Sequence, residues 1–367
     1  MKAETITITR RVKIYVAEDD KDLKKDYIHK IYEWRDACRK AANMVVAHKF
    51  CQQNIKDFVY LKDEVKEKFY VKDILKEGKG MSEQNTTYRV LSDMLKGAVP
   101  AEIYSCLNQA IANTFKETYK DIYSGKASVR SYKNNIQMPF GGKNLYNLKW
   151  SDEDKRYYIT LFGIPFALSL GRDQSNNKVI IERCLAGIYK FCGSSIMIQD
   201  KEFYLYMTVQ MPCEQNKLDP NKVCYAMLSV LNPIVANVDD SEWTYKIGTA
   251  EEFMYRRRQI QEARKRAQIN AQYTRGGRGR KRKLQAVDRY DEMEGNYVRT
   301  KMHEYSRRLV DYAVKNECGV IRLVADDIQS EKDKENPILL RNWTYHGLKD
   351  MIAYKCKKAG IELSFEK

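Results

Sequence analysis

The pattern of apolar positions divides the chain into strand-like and helix-like stretches. Residues 1–16 alternate apolar and polar positions, a period of two that predicts a strand. Beyond them the apolar residues follow helical spacing to about Gln53, and further helices are predicted over 82–96 and behind Pro100. We therefore expect a helical insertion, at about residues 20–125, after a first strand.

Strand patterns return in the middle of the chain. Runs at 157–162, 186–191 and 203–210 are separated by Gly, Asn and Asp turns, which predicts a small β-barrel. The first strand is expected to pair into this barrel from across the helical insertion. Farther on, residues 224–236 and 319–325 have the composition of two buried strands of an α/β domain, with a long helix between them.

The net charge is +16, from 65 Lys and Arg against 49 Asp and Glu, so a polyanion is the first partner to expect. The charge is densest in residues 254–284, where the one acid is Glu262. Residues 254–268 are predicted to be a helix and 274–280 a flexible, glycine-rich loop. Without a polyanion these cations would repel one another, so we expect nucleic-acid contact rather than a merely solvated surface. The predicted contact residues are Arg256, Arg257, Arg258, Arg264, Lys265, Arg266, Arg275, Arg278, Arg280, Lys281, Arg282 and Lys283.

Other kinds of site have no signature in the sequence. The nine Cys include no Cys-x-x-Cys pair and have no nearby His pair, so neither a zinc site nor a disulfide framework is predicted, and buried thiols of a reducing cytoplasm are expected. There is no signal peptide, and no apolar run approaches the roughly 18 residues of a membrane span. The four His lack catalytic spacing. We expect no metal, no cofactor and no membrane partner.

The order of these segments, together with three motifs in the last of them, resembles a known family. The motifs are Asn232-Pro233-Ile234, a helix that carries Ser306-Arg307 and ends at Gly319, and Trp343-Thr344-Tyr345. They resemble TnpB, the RNA-guided nuclease of insertion sequences and the ancestor of the type V CRISPR effectors.

The resemblance implies an α+β multidomain protein with a role for each part. A wedge β-barrel, formed by 1–20 and 126–220, would grip the scaffold of a guide RNA. A helical recognition domain over 21–125 would read a short motif flanking the target. A C-terminally truncated RuvC domain of RNase H-like α/β fold would span 221–367, and its basic helix would pack on the guide–target heteroduplex.

The flanking-motif readers would come from a polar helix start and a basic loop. Residues 82–89 supply Asn and Gln, which can hold adenine by two hydrogen bonds, and Thr, whose methyl can touch thymine. Residues 124–140 resemble the basic stretch that closes the recognition domain of TnpB proteins. The candidate set is Arg35, Gln84, Asn85, Thr86, Tyr88, Arg130, Ser131, Tyr132 and Lys133.

The residues that carry catalysis in the family are replaced here. Aligning on the Asn-Pro-Ile motif puts Met227 at the position of the first catalytic Asp, and two alternative alignments put Val324 or Asp326 at that of the Glu. We expect Met227 and Val324 to be core residues of two parallel strands. The chain ends at Lys367, before the family's zinc module and final Asp. Two-metal cleavage needs several converging carboxylates. We therefore expect a protein that is not an enzyme and is most like the TldR group, the TnpB-like nuclease-dead repressors.

The predicted function is RNA-guided binding of double-stranded DNA beside a flanking motif, with repression by promoter occlusion and without cleavage. The expected partners are a guide RNA and double-stranded target DNA, with the protein a monomer in the RNA complex, in the bacterial cytoplasm at the nucleoid. Three alternatives stay open. One is a rearranged metal site built from Asp326, Asp327 and either Asp239 or Asp240. The others are a transposon remnant that binds only its own RNA and a DNA-binding protein that needs no RNA.

Overall fold

A computed structural model describes residues 5–56, 82–173, 176–214, 216–228, 232–238, 244–273, 280–324 and 345–366 of the protein. The chain divides into two compact units, one formed by Thr7–Met211 and the other by Met1–Ile6 with Pro212–Lys367. The first unit combines an antiparallel sheet with long helices, and the second packs a mixed sheet against helices. The mixed, multidomain α/β character expected from the sequence is confirmed. The division into four domains stays a prediction.

The three helices predicted for the first unit are present. Their bounds are Lys21–Lys56 (α1), Glu83–Leu95 (α2) and Ala101–Tyr123 (α3). The start of α2 is fixed by Ser82, whose hydroxyl accepts a hydrogen bond from a backbone amide of the first turn. The start of α3 follows Pro100, whose backbone suits the beginning of a helix. Facing apolar residues such as Ile31, Leu91 and Ile103 are fully buried and hold the helices together.

The sheet of the first unit is antiparallel in every described pairing. Its strands are β1 (Thr5–Val16), β2 (Gln137–Phe140), β3 (Lys149–Ser151), β4 (Arg156–Leu161), β5 (Ile164–Ser169), β6 (Lys190–Phe191), β7 (Ser194–Gln199) and β8 (Glu202–Pro212). The order is β2-β7-β8-β1-β5-β4-β3, with β6 paired to β8. Thus β1 lies between β8 and β5, which confirms that it pairs across the helical insertion. Closure of this sheet into a wedge barrel stays a prediction.

One strand predicted in the first unit is mostly absent. Residues 186–191 were expected to be extended, but a helix, α4 (Asn177–Leu185), ends just before them and only Lys190–Phe191 form a strand. Ala186 keeps a right-handed helical conformation, and Gly187 has a φ of 77°. A positive φ reverses the chain direction and is readily adopted by glycine, so the apolar run is broken by a turn.

The second unit is built on a mixed five-stranded sheet. Its strands are β9 (Asp219–Met227), β10 (Ile234–Val238), β11 (Tyr245–Ile247), β12 (Cys318–Val324) and β13 (Glu362–Glu366), and its helices are α5 (Ala250–Tyr273), α6 (Arg280–Lys315) and α7 (Tyr345–Ala359). The order is β11-β10-β9-β12-β13. The first three strands are antiparallel, and β12 is parallel to both β9 and β13.

The long buried strand predicted over 224–236 is in fact parts of two antiparallel strands, β9 and β10. Asn232 and Pro233 precede β10, and an Asn-Pro pair favours a turn because proline has no amide hydrogen for a ladder. Alternate residues of β9 and β12, such as Cys224 and Leu323, belong to the buried core with α6 and α7. Within the described ranges, none of the helices combines the length and the apolar character that a membrane span requires.

Candidate nucleic-acid interface

The helix α5 turns four of the predicted contact residues to solvent. Its apolar side, with Phe253, Met254 and Ile260, is buried, whereas Arg256, Arg258, Lys265 and Arg266 are exposed. These four residues spread over the exposed half of the helix, with Arg256 and Lys265 on opposite sides of its axis, and are called the cation row below. In the described part of the chain none of them has an acidic partner: Arg256 donates to the Gln259 amide oxygen at 3.0 Å and Arg266 to the backbone oxygen of Glu262 at 3.5 Å. The row therefore presents unneutralised charge.

Arg257 departs from the prediction because it is buried. Its side chain is 1% exposed, and its Nε donates to Oε1 of Glu294 at 2.6 Å. The same oxygen accepts from the amide of Gln261 at 2.9 Å. Residue 257 lies four positions after Phe253 and three before Ile260, so it shares the buried face of α5. The guanidinium belongs to the packing of α5 on α6, and its assignment to nucleic-acid contact is wrong.

Of the remaining predicted contact residues, only Arg264 has a side chain that the structure describes. Arg264 is half-buried and holds Asp291 of α6 at 2.8 Å. Arg275 and Arg278 lie outside the described residues, as does most of the predicted loop. Arg280, Lys281, Arg282 and Lys283 form the first turn of α6, where only the backbone is described. The helix predicted over 254–268 is present and longer.

The basic loop after α3 is fastened to α1 by one side chain. Oδ1 of Asn43 accepts from the backbone amide of Tyr132 at 2.8 Å, and its Nδ2 donates to the Tyr132 carbonyl at 3.0 Å. Arg130 lies over the Tyr132 ring, 5.4 Å from its centroid, while Ser131 and Lys133 are exposed. Burial raises the pKa of the Tyr132 phenol. Asn43 was missed in the sequence because a lone Asn inside a helix gives no sign of its partner.

The first turn of α2 is fastened to the same helix. Nδ1 of His48 lies 2.9 Å from the Thr87 hydroxyl, and Gln52 donates to the carbonyl of Glu83 at 3.3 Å. Burial, with the charge of Lys49, lowers the pKa of His48, which favours the neutral form of the ring. Asn43 and His48 are about 7.5 Å apart along the axis of α1. The helix α1 therefore brings the loop and the start of α2 close together.

The predicted motif readers differ in their availability for base contact. Thr86 donates to the carbonyl of Ser82, and Tyr88 packs against Tyr104 with ring centroids 5.6 Å apart. By contrast, no hydrogen bond within the described ranges occupies the side-chain amides of Gln84 and Asn85.

Arg35 does not join these residues. It is about 12 Å from Asn43 along α1. It is 17% exposed and pairs with Asp36 at 2.8 Å, and its guanidinium lies 4.9 Å from the centroid of the Tyr32 ring.

The two positions aligned with the family's catalytic residues face each other in the second sheet. Met227 of β9 and Val324 of β12 are register partners at the ends of parallel strands. Both are half-buried and alternate with the core residues, so the expectation that they are core residues is wrong. Asp326 lies outside the described residues. The part of the chain that the structure describes contains no group of three or more His, Cys, Asp or Glu that could hold a metal ion.

Comparison with known proteins identifies the relatives of this fold. No protein-family model matches the chain. The CRISPR-associated endodeoxyribonuclease Cas12f1 of Sulfoacidibacillus thermotolerans is 28% identical over 265 residues, which are 68% of this chain and 61% of that protein. Cas12f1 of Syntrophomonas palmitatica is 25% identical over 301 residues, 73% of this chain and 58% of that protein. The chain is homologous to Cas12f1. It spans about three-fifths of the length of these relatives.

The fold likeness extends over nearly the whole chain. A solved structure of the Cas12f1-sgRNA-target DNA complex has a TM-score of 0.70 and 16% identity, and the match covers 98% of this chain and 89% of that one. The resemblance to the type V, TnpB-related family is confirmed at the level of Cas12f1, while the TldR group stays a prediction. The expectation that the chain is not an enzyme is wrong, because both curated relatives are endodeoxyribonucleases, which points to nuclease activity.

Proposed function

We propose that the protein binds a guide RNA and uses it to select double-stranded DNA. The observation that carries this is the cation row of α5, which has no acidic partner among the residues that the structure describes. Such a row suits a phosphate backbone, because each neutralised phosphate releases condensed counterions. Similarity to Cas12f1, which has been solved with sgRNA and target DNA, supports these two partners.

Within this proposal the first unit reads a short motif beside the target. The amides of Gln84 and Asn85 supply hydrogen bonds of the kind that reads adenine in the major groove, and Arg130 and Lys133 supply phosphate contacts. The hydrogen bonds from α1 support this reading because they bring both groups to one helix. A complex held in this way at a promoter would exclude RNA polymerase and so repress transcription.

The decisive experiment is purification of the full chain from a bacterial host that carries its native flanking DNA, followed by sequencing of the copurified RNA. A discrete RNA with a constant scaffold and a short variable end that matches DNA supports the proposal. Heterogeneous RNA, or none, overturns it and leaves DNA binding without guidance. If a discrete RNA copurifies but its ends match no DNA target, the remaining interpretation is a protein that binds only its own RNA.

DNA cleavage is a second candidate function, favoured by the names of both relatives. The described ends of β9 and β12 do not supply a two-metal site by themselves, because the side chains of Met227 and Val324 have no hard oxygen ligand for magnesium. Asp326 and Asp327 follow β12 in the sequence, and Asp239 and Asp240 follow β10, but all four acids lie outside the described residues.

Cleavage is tested with the purified RNA complex and a plasmid that carries the matched target. Nicked or linear plasmid in magnesium, absent with a chelator, establishes cleavage by this chain. Intact plasmid that is nevertheless retarded on a gel assigns binding alone.

A further inference from the structure

Two tyrosines lie at either end of the cation row on α5. Tyr255 is 69% exposed and Tyr273 is 79% exposed. Neither ring stacks on another ring or makes a hydrogen bond within the described ranges. Single exposed apolar residues are common on protein surfaces, so exposure alone says little. The position of these two rings on the helix is what distinguishes them.

Both rings leave α5 in the same direction. They are 18 residues apart within one continuous helix, which is five turns of about 3.6 residues, so their side chains are in line and about 27 Å apart. Arg258 and Arg266 of the cation row fall between them, within about 60° of the same line, and the exposed acid Glu262 lies within about 20° of it. Ile269, 53% exposed, lies there as well. These five residues are called the stacking ridge.

We propose that the stacking ridge binds single-stranded DNA, the strand that is displaced when a guide pairs with its target; in this form the inference rests on the proposed function. A tyrosine ring stacks on a base only where the face of that base is open. In a duplex the neighbouring base pairs cover those faces, whereas in a displaced strand they are free. Arg258 and Arg266 neutralise the phosphates between the two stacking positions.

A nucleic-acid duplex is the competing occupant. The family resemblance implies that the basic helix packs on the guide–target heteroduplex, and cations alone suit that partner, because a duplex is held through its phosphates. With a duplex on α5, however, the two rings would lie against covered bases and contribute little. Removal of the rings without any change of charge therefore separates the two occupants.

The test is fluorescence anisotropy of the full chain with a labelled oligothymidylate, a DNA duplex and an RNA–DNA hybrid of equal length. Tyr255→Ala and Tyr273→Ala are each expected to weaken single-strand binding about five-fold or more and to leave duplex and hybrid binding unchanged. Tyr255→Phe and Tyr273→Phe retain the ring and should bind like the parent. Tyr354→Ala on α7, where the ring is 37% exposed, is the matched control and should have no effect.

Salt dependence separates stacking from charge. The alanine variants lose no cation, so the slope of log affinity against log salt should stay the same, whereas Arg266→Gln should reduce it by about 0.7 for a single strand. Alanine favours a helix more than tyrosine does, so the variants should fold, which circular dichroism checks.

Three results with the DNA probes would overturn the proposal: full affinity in the double alanine variant, an equal loss on the duplex, or an equal loss in the phenylalanine variants. Tighter binding of the equivalent RNA oligonucleotide than of DNA would also overturn it, by assigning the ridge to an RNA strand. The assay uses no guide, so its outcome is independent of whether an RNA copurifies with the protein.

Discussion

At the scale of single residues, the ion pair between Arg257 and Glu294 joins α5 to α6 within the buried face. Both side chains are buried, at 1% and 7% exposure, and the charged atoms are 2.6 Å apart. A charge that loses its partner in such a place has no water to replace it. The pair is therefore costly to break from one side.

Glu294→Ala is expected to lower the free energy of unfolding by about 3–5 kcal/mol, because it leaves the Arg257 guanidinium without its carboxylate. The double replacement Arg257→Met/Glu294→Leu should recover most of that loss, since both charges are then gone. Urea denaturation measures both. Arg264→Ala, at the half-exposed pair with Asp291, is the control and should cost under about 1 kcal/mol. An equal loss in Glu294→Ala and the control would contradict the argument.

Lys355 makes stability depend on pH. Burial lowers its pKa from 10.5 to about 8, with repulsion from Arg307 and Lys358 acting in the same direction and Asp311 opposing it. Its ammonium donates to the His303 carbonyl and to the Ser306 hydroxyl. Between pH 8 and 10.5 the unfolded chain binds more protons at this lysine than the folded chain, so its contribution to stability rises with pH.

Replacement of Lys355 by Met should therefore help most at neutral pH. The stability of Lys355→Met relative to the parent protein should fall as pH rises from 7 to 10, because the parent loses the cost of the buried charge in that range. Cysteines and tyrosines that ionise in the same range do so in both proteins and cancel in the difference. Denaturation curves at several pH values measure it. A difference that does not change with pH would show that the lysine is not desolvated.

The burial of Arg257 could be predicted only in part from the sequence. Its neighbours Phe253 and Ile260 gave the helical spacing that places it on the buried face. The acid that makes burial of Arg257 tolerable, Glu294, lies 37 residues later on α6, outside the basic segment 254–284. Charge density predicted the cation row, but only the packing of α6 distinguished Arg257 from it.

At the scale of elements, local signals located the helices better than the strands. Ser82 and Pro100 are chemical start signals, and both helices begin there. The strands predicted at 186–191 and 224–236 rest on apolar composition, which does not indicate where the chain turns. Gly187 and Pro233 interrupt both runs. The joining of the basic loop to α1 through Asn43 spans 89 residues and has no local signal.

The basic loop after α3 is held on α1 by the side chain of Asn43. Asn43→Ala removes two hydrogen bonds to the Tyr132 backbone, each worth about 1 kcal/mol, so the loop should open more often. Trypsin cleavage after Arg130 and Lys133 should become about ten-fold faster or more. Limited proteolysis with mass spectrometry measures the rate. Gln109→Ala, which removes an exposed bond to Asn113 within α3, is the control. Unchanged cleavage in Asn43→Ala would mean that other contacts hold the loop.

At the scale of the whole molecule, the net charge of +16 is a guide to the class of partner and not to the place of contact. Much of the positive charge is locally offset: Arg264 pairs with Asp291, Lys301 with Glu252, and Arg307 with Asp311. The cation row differs because its residues have no such acid in the described ranges. The placement of charge, rather than its sum, should therefore set the salt dependence of binding.

Two variants with the same net charge separate placement from sum. Arg258→Gln/Lys265→Gln removes two cations of the row, and Arg289→Gln/Arg299→Gln removes two exposed cations of α6. Each lowers the net charge by two. For duplex DNA, the slope of log affinity against log salt should become shallower by about 1.8 in the row variant. This value is about 0.9 for each of the two phosphates that are no longer neutralised. The slope should be unchanged in the α6 variant. Anisotropy titrations over a range of salt concentrations measure the slopes. Equal slopes in the two variants would mean that the protein attracts DNA by its overall charge and that α5 is no more an interface than the rest of the surface.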